Sequence, residues 1–446
     1  MKLTGLPMCS IVVAAHSGCV AWDEKSGELA ESAEGAKKSV AADDLPSGTA
    51  REWMSLIMDR VKADVINPPQ ASRIYAYTGL ALYEAALPGM KQRKSLGKSL
   101  NDMPKMPNAN GPDRVDWPAA QAAAISRVAQ DLFAGRSASL AAVSGLRDAQ
   151  LAARTAAGIS PGDIAASIAF GEEIGAAINT WAAADNFAAT RGLPFTPPVG
   201  PQFWVPTSGA PATTPPAEPY WGTLRPFTLP SHDACAPQPP EPYSEAPSSS
   251  FYAQANTVRT TEQSLTDEQK QIALFWADNP GQTANPPGHW IAIVTSLSAA
   301  SSLTDASELY ALIGLAVADA FISCWKTKYA FNLVRPETYI QRIIDPAFTP
   351  FIPTPQFPEY PSGHSTSSGS ASTLLTGILG NVSFVDTTHV ARGFPPREFD
   401  TFTQAAEEAA VSRLYGGIHY PMGNNNGLQQ GRCVGNFVID RARTRP

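Results

Sequence analysis

The sequence predicts an all-α fold interrupted by one long proline-rich stretch. Three observations carry this. Apolar residues recur at helical spacing, as with Trp53, Leu56, Ile57 and Val61. No run of alternating apolar and polar residues is long enough to build a sheet. Sixteen of the forty prolines fall within residues 191–250, where regular structure cannot persist.

In chain order, helical pattern begins at residue 49 and stops at Asn67-Pro68-Pro69; a second stretch, 71–86, ends before Pro88-Gly89. Residues 104–112 read as loop. Alanine-rich helices follow over 117–133, 137–157 and 161–184, alanine having the lowest helix cost and permitting close helix contact. The proline-rich part carries Phe203, Trp204, Tyr220, Trp221 and Phe227. Disordered linkers are poor in aromatics, so this part reads as an ordered segment wrapped on the helices. Helices return over 266–277, 287–302, 306–329, 362–379, 398–415 and 423–438. The expected organisation is an N-terminal helical part at 49–190, the wrapping segment at 191–262 and a C-terminal helical part at 263–446, all in one compact domain.

The first residues differ. Lys2, the apolar run at 11–15 and Ser17-Gly18-Cys19 read as an export signal over 1–19. Gly18-Cys19 resembles a bacterial lipoprotein cleavage box, with His16 where that box usually has Leu, and suggests a lipid anchor at Cys19. Residues 20–48 read as a flexible tether. The expected location is therefore outside the cytoplasm: periplasmic, on the cell surface or secreted.

No two of the five cysteines have C-x2-C spacing, which argues against a thiolate metal site. Cys324 and Cys433 stand in apolar surroundings and read as buried free thiols. Cys235 lies in the proline-rich loop, and the sequence cannot choose a disulfide partner for it. The net charge of -7 gives no sign of nucleic-acid binding.

Against that acidic background, cations cluster in the C-terminal half. Lys328 and Arg335 stand seven residues apart with Pro336 behind; Pro361-Ser362-Gly363-His364 follows; then come Ser412-Arg413 and His419. Seven residues are about 20° off two helical turns, so Lys328 and Arg335 can face one pocket from a helix, with Pro336 stopping it. Lysine offers a point charge and arginine a planar fork matched to two oxygens. The start of the Ser362-Gly363-His364 helix presents free amides and a positive dipole end. Ser362 can add a hydroxyl, and His364 can move a proton. Gly416-Gly417 would end the preceding helix and let Arg413 and His419 converge. Each motif alone has a plainer reading: a solvated face, an N-cap, a hydrogen-bonded core histidine. Together they form an inventory for holding one tetrahedral oxyanion, with helical bundles built around it.

The pattern K-x6-R-P, P-S-G-H and S-R-x5-H resembles the vanadium-dependent haloperoxidases and the related acid phosphatases of the type 2 phosphatidic acid phosphatase superfamily. The resemblance spans about 275–431. On the haloperoxidase side it implies vanadate as cofactor and His419 as the axial vanadium ligand. Lys328, Arg335, Ser362, Gly363 and Arg413 would hold the vanadate oxygens, and His364 would be the acid–base residue. Lys328 would polarise the bound hydrogen peroxide, which oxidises a halide, iodide or bromide before chloride, to hypohalous acid; a small organic acceptor could follow. Trp325 and Phe357 correspond to an aromatic wall beside the halide, with core packing as their plain reading. On the phosphatase side His419 would be the nucleophile and His364 the acid for the leaving group. That branch usually carries Asp four residues after the final histidine, where this chain has Gly423. The partner of His419 would then be something else, such as a backbone carbonyl. A third reading is an oxyanion-binding protein without turnover. Asp278 resembles a position that pairs with Arg413, though a surface carboxylate in a turn is its plainer reading. His232, His289 and His389 match no ligand position and read as structural.

Overall fold

A computed structural model of the protein describes residues 39–109 and 114–445. The export signal, the Cys19 anchor and most of the tether lie outside the described residues. Helices dominate: α1 (Gly48–Ala63), α2 (Pro68–Ala86), α3 (Trp117–Leu132), α4 (Ser137–Ala156), α5 (Pro161–Ala183), α6 (Phe187–Thr190), α7 (Ser250–Gln263), α8 (Asp267–Phe275), α9 (Asn285–Leu297), α10 (Leu303–Phe331), α11 (Pro336–Ile343), α12 (Gly363–Leu379), α13 (Phe402–Tyr415) and α14 (Pro421–Arg441). The all-α expectation is met. Two three-residue strands, β1 (Phe384–Asp386) and β2 (Arg397–Phe399), pair antiparallel, Phe384 opposite Phe399. They are too short for alternation to show in the sequence.

The axis of the fold is α10. It is long and apolar enough to cross a membrane, but its apolar window is wholly buried inside the protein, which makes it the core helix. It crosses α2 closely. A Cβ at Gly79 would stand 2.4 Å from the Tyr310 carbonyl oxygen, and one at Gly314 2.7 Å from that of Tyr75, so glycine is required on both helices. One apolar core runs through both halves, from Trp53 and Tyr77 to Trp290, Trp325 and Leu375.

The proline-rich segment is ordered and buries Trp204, Trp221 and Phe227. Backbone and side-chain anchors hold it. Buried Asp319 of α10 accepts hydrogen bonds from Phe227 N (2.7 Å), Thr228 N (2.7 Å) and Thr228 Oγ1 (2.6 Å). The Trp204 amide donates to Asn332 O at 2.7 Å, and Val334 N donates to Gln202 O at 2.9 Å. Cys235 and Cys433 form a disulfide with Cα atoms 5.7 Å apart, so Cys433 is not a free thiol; Cys324 is free and buried, as expected. The pair stand 198 residues apart, a separation that no local pattern reports.

Four sequence expectations need correction. Residues 42–48 are not a tether: Ser47 Oγ donates to Ser298 O at 2.7 Å and Leu303 N to Leu45 O at 2.7 Å, tying the chain to the start of α10. The last residues of the 191–262 segment form α7, capped by Ser249 and burying Phe251, Ala255 and Val258 at helical spacing. Pro336 begins α11 rather than ending a helix, since proline fits the first helical position, where no amide bond is lost. Lys328 and Arg335 therefore do not share a helix: α10 closes on left-handed Asn332 (φ 47°), and Arg335 is the N-cap of α11.

Candidate active site

Five local structures deliver the site. Lys328 is buried in the last turn of α10 and Arg335 precedes α11. Ser362 caps α12, accepting from Ser365 N at 3.3 Å. Arg413 lies in the last turn of α13. The chain then turns through Gly416 and Gly417, the latter at φ +76°, and delivers His419 before α14.

Three buried cations converge. Lys328 Nζ donates to Pro358 O and Glu359 O, both at 2.9 Å, which leaves one of its three protons free. Arg335 donates through Nε to Phe357 O (2.8 Å) and through Nη1 to Ile418 O (3.0 Å). Arg413 Nη1 donates to Trp276 O at 2.7 Å. Burial lowers all three, to about 10 for Arg335, about 9 for Arg413 and about 7 for Lys328. Both arginines keep their charge at neutral pH. Lys328 is the one brought close to neutral pH.

His419 is held from both sides. Nδ1 lies 2.8 Å from Glu359 Oε1, and Nε2 lies 3.1 Å from Arg335 Nη1. A guanidinium can only donate, so Nε2 is the acceptor and Nδ1 carries the proton. Burial and the Arg335, Lys328 and Arg413 charges push His419 well below the usual imidazole range, so the ring is neutral with a lone pair on Nε2. The partner of His419 is thus a carboxylate, not a backbone carbonyl. Gly423 makes the room: a Cβ there would stand 2.3 Å from Glu359 Oε1. Burial raises Glu359 to about 7.

His364, at the second position of α12, is half-buried on a cavity of about 300 Å³ that also touches Asp278, Gly363, Arg413, His419, Trp325 and Phe357. Burial and the Arg413 charge lower its pKa, against an opposing pull from Asp278, so it too is neutral. Trp325 and Phe357 face each other with centroids 5.1 Å apart. Lys328 Nζ lies 5.6 Å from the Trp325 centroid and 5.1 Å from that of Phe357.

Asp278 is buried, not a surface carboxylate, and among the described residues it makes no ion pair with Arg413. Its Oδ2 lies 2.8 Å from His289 Nδ1 and its Oδ1 3.1 Å from His389 Nε2. His289 Nε2 in turn lies 2.7 Å from Asp386 Oδ2. His232 is structural, bonded to Leu224 O at 2.9 Å.

Sequence reasoning thus missed Glu359 and the His289–Asp386 pair. A signal existed for Glu359: a lone carboxylate within Phe357-Pro358-Glu359-Tyr360-Pro361, flanked by aromatics and prolines, has no reason to sit there unless it is paired. None existed for Asp386.

The donors fit a tetrahedral oxyanion. Arg335 Nη2 and Arg413 Nε are buried donors without a protein partner, which is costly unless a ligand supplies acceptors, and His364 Nε2 is unpartnered too. Fold and site together define a helical protein with a buried cluster of cations and imidazoles. The family model for the VCPO second helical-bundle domain matches residues 308–445. A solved bacterial vanadium-dependent iodoperoxidase is 35% identical, with a TM-score of 0.83 over 90% of this chain and 98% of that one. Apo and holo structures of a bacterial vanadium-dependent chloroperoxidase share the fold, with TM-scores of 0.63 and 0.64 at 17% and 16% identity, over 85% and 86% of this chain and 94% and 96% of theirs. No curated protein matches the sequence. The chain belongs to the vanadium-dependent haloperoxidase family.

Proposed function

We propose that the protein binds vanadate and uses hydrogen peroxide to oxidise halide to hypohalous acid, with iodide or bromide favoured. The observation that carries this is the neutral His419, its Nε2 lone pair set among Lys328, Arg335 and Arg413. The 35% identical iodoperoxidase supports iodide as the first halide to test.

In this reading His419 Nε2 is the vanadium ligand. Lys328, Arg335 and Arg413 neutralise the oxygens, and the Ser362 hydroxyl and Gly363 amide donate to them. Bound vanadate supplies a Lewis acid that makes peroxide electrophilic toward halide. Halide gives up two electrons and one proton is consumed, with hypohalous acid and water as products. His364 Nε2, unpartnered beside the cavity, moves that proton. Trp325 and Phe357 strip water from the halide, which sharpens its nucleophilicity.

A second reading, a phosphatase acting through phosphohistidine, has one observation in its favour. Glu359 orients His419 as a carboxylate would behind a nucleophilic imidazole, so Gly423 does not argue against that cycle. One experiment separates them: halide-dependent peroxide consumption with vanadate, and phosphomonoester hydrolysis without it, on one preparation. Strong hydrolysis and no halide oxidation would promote the phosphatase.

We also propose export. The Cys235–Cys433 disulfide supports it, because such bonds persist in oxidising compartments. Anchoring at Cys19 is tested by Cys19→Ser, which should release soluble protein; wild type already soluble and cleaved elsewhere leaves export alone.

A further inference from the structure

Ala217, in the proline-rich segment, reaches the wall of the cavity. Its backbone bonds both sides of the aromatic wall. Ala217 N donates to Gln356 O at 2.8 Å, one residue before Phe357. Ala217 O accepts from Trp325 Nε1 at 3.2 Å and from the Tyr329 hydroxyl at 2.6 Å. The next residue clamps this peptide to the start of α2. Glu218 Oε1 accepts from Asn67 Nδ2 at 2.8 Å and from Gln70 Nε2 at 2.5 Å. Glu218 itself lies in the left-handed region, at φ 52°. A residue with a Cβ adopts that conformation at a cost, which these bonds offset. The segment also packs directly on α10 beside Trp325: a Cβ at Gly222 would stand 2.4 Å from both Lys326 N and Lys326 Cα. The far edge of the Trp325 indole abuts Gly363, where a Cβ would stand 3.3 Å from Cζ3. The ring is thus fixed with its N–H turned to Ala217 and its six-membered ring toward the start of α12.

We infer that Ala217 and Glu218 set the halide preference of the site, as positioning residues that keep the Trp325 N–H occupied and off the halide. The inference rests on the haloperoxidase reading. A halide that enters the pocket sheds water, and the penalty grows as the ion becomes smaller and its charge denser. A free indole N–H would offset more of that penalty for bromide than for iodide. With the N–H taken by Ala217, the halide meets the carbon faces of Trp325 and Phe357. Charge reaches it from Lys328 Nζ, 5.6 and 5.1 Å from the two ring centroids. Such surroundings favour iodide, the most weakly hydrated of the three halides.

The test compares kcat/KM for iodide and bromide at saturating vanadate and peroxide, with bromide read as a competitive inhibitor of iodide oxidation where it is not turned over. Wild type that oxidises no halide defeats the haloperoxidase reading, and the inference with it. Given turnover, Glu218→Ala should release the Trp325 N–H and lower the preference for iodide over bromide about two- to tenfold, the worth of one neutral hydrogen bond. Vanadate affinity by dialysis should stay unchanged. Glu218→Gln, whose amide oxygen still accepts from Asn67 and Gln70, should keep the wild-type preference. Trp325→Phe has no N–H to release, so adding Glu218→Ala to it should shift the preference no further. A merely structural role would slow both halides alike and leave their ratio unchanged. An unchanged ratio in Glu218→Ala, an equal shift in Glu218→Gln, or an equal shift in the Trp325→Phe background overturns the inference. If Glu218→Ala does not fold, Gln70→Leu, which removes one of the two clamping bonds, decides in the same way.

Discussion

Glu359 Oε1 lies 2.8 Å from His419 Nδ1 and also accepts from Tyr420 N at 3.0 Å, in the space that Gly423 leaves open. This contact fixes the imidazole tautomer. Glu359→Ala should weaken vanadate binding about 10–100-fold, the usual cost of losing a residue that orients a ligand histidine. Glu359→Gln, which can still accept from Nδ1, should lose less. Gly423→Asp should also weaken binding, since its Cβ would displace Glu359. Equilibrium dialysis with vanadate ranks the three.

His419 and His364 should separate binding from turnover. His419→Ala removes the lone pair and should abolish vanadate affinity with the helical content unchanged by circular dichroism. His364→Ala leaves the three cations in place and should keep affinity within a few-fold while cutting turnover about 10²–10⁴-fold, the range for losing a general acid–base group. Equal vanadate binding by wild type and His419→Ala would remove the central assignment.

The lowered pKa of Lys328, about 7, makes oxyanion affinity depend on pH. Below pH 7 Lys328 is charged and the site holds its full positive charge. Above it the free site loses a proton that a bound anion must restore, so affinity should fall by up to about tenfold per pH unit. Lys328→Met should lack that part of the slope, and the difference between the two profiles isolates Lys328 from the ionisation of vanadate itself. The same shift acts on folding. The unfolded chain binds the proton more tightly, so without anion the Lys328 contribution to stability should rise between pH 7 and 10.5.

Phe357 lies 5.1 Å from Trp325 and forms part of the cavity wall; its carbonyl accepts from Arg335, and its ring centroid lies 4.9 Å from the Arg335 guanidinium carbon. Phe357→Ala should therefore raise the halide KM more than the vanadate Kd. Steady-state kinetics on iodide at saturating vanadate, beside dialysis, gives both numbers. A larger loss in vanadate affinity would assign the ring to the cations it covers.

The Cys235–Cys433 disulfide pins the proline-rich segment to α14. Closing so long a loop should stabilise the fold by about 2–4 kcal/mol. Cys433→Ser should lower the Tm, and reductant should lower that of wild type but not of the variant.

The helices were legible because their signal is local: apolar spacing, alanine runs and proline stops act within a few turns, and most ends fell within a few residues of expectation. The three motifs were legible for a related reason. Lys328, Arg335, Ser362-Gly363-His364, Arg413 and His419 are unusual residue types at set spacings, and oxyanion chemistry demands them together. What the sequence did not disclose are pairings made across the fold. Glu359 meets His419 over 60 residues, His289 meets Asp386 over 97, and Cys235 meets Cys433 over 198. Such contacts leave no periodicity, because they depend on how α10, α12 and α14 pack and not on any segment's own hydrogen bonding. The same packing decided that Asp278 lies buried between two histidines, where its sequence neighbours Asn279-Pro280 suggested only an exposed turn. In a buried site of cations, which carboxylate meets which imidazole is settled by the cost of leaving either unpaired, and that cost exists only once the tertiary fold has excluded water.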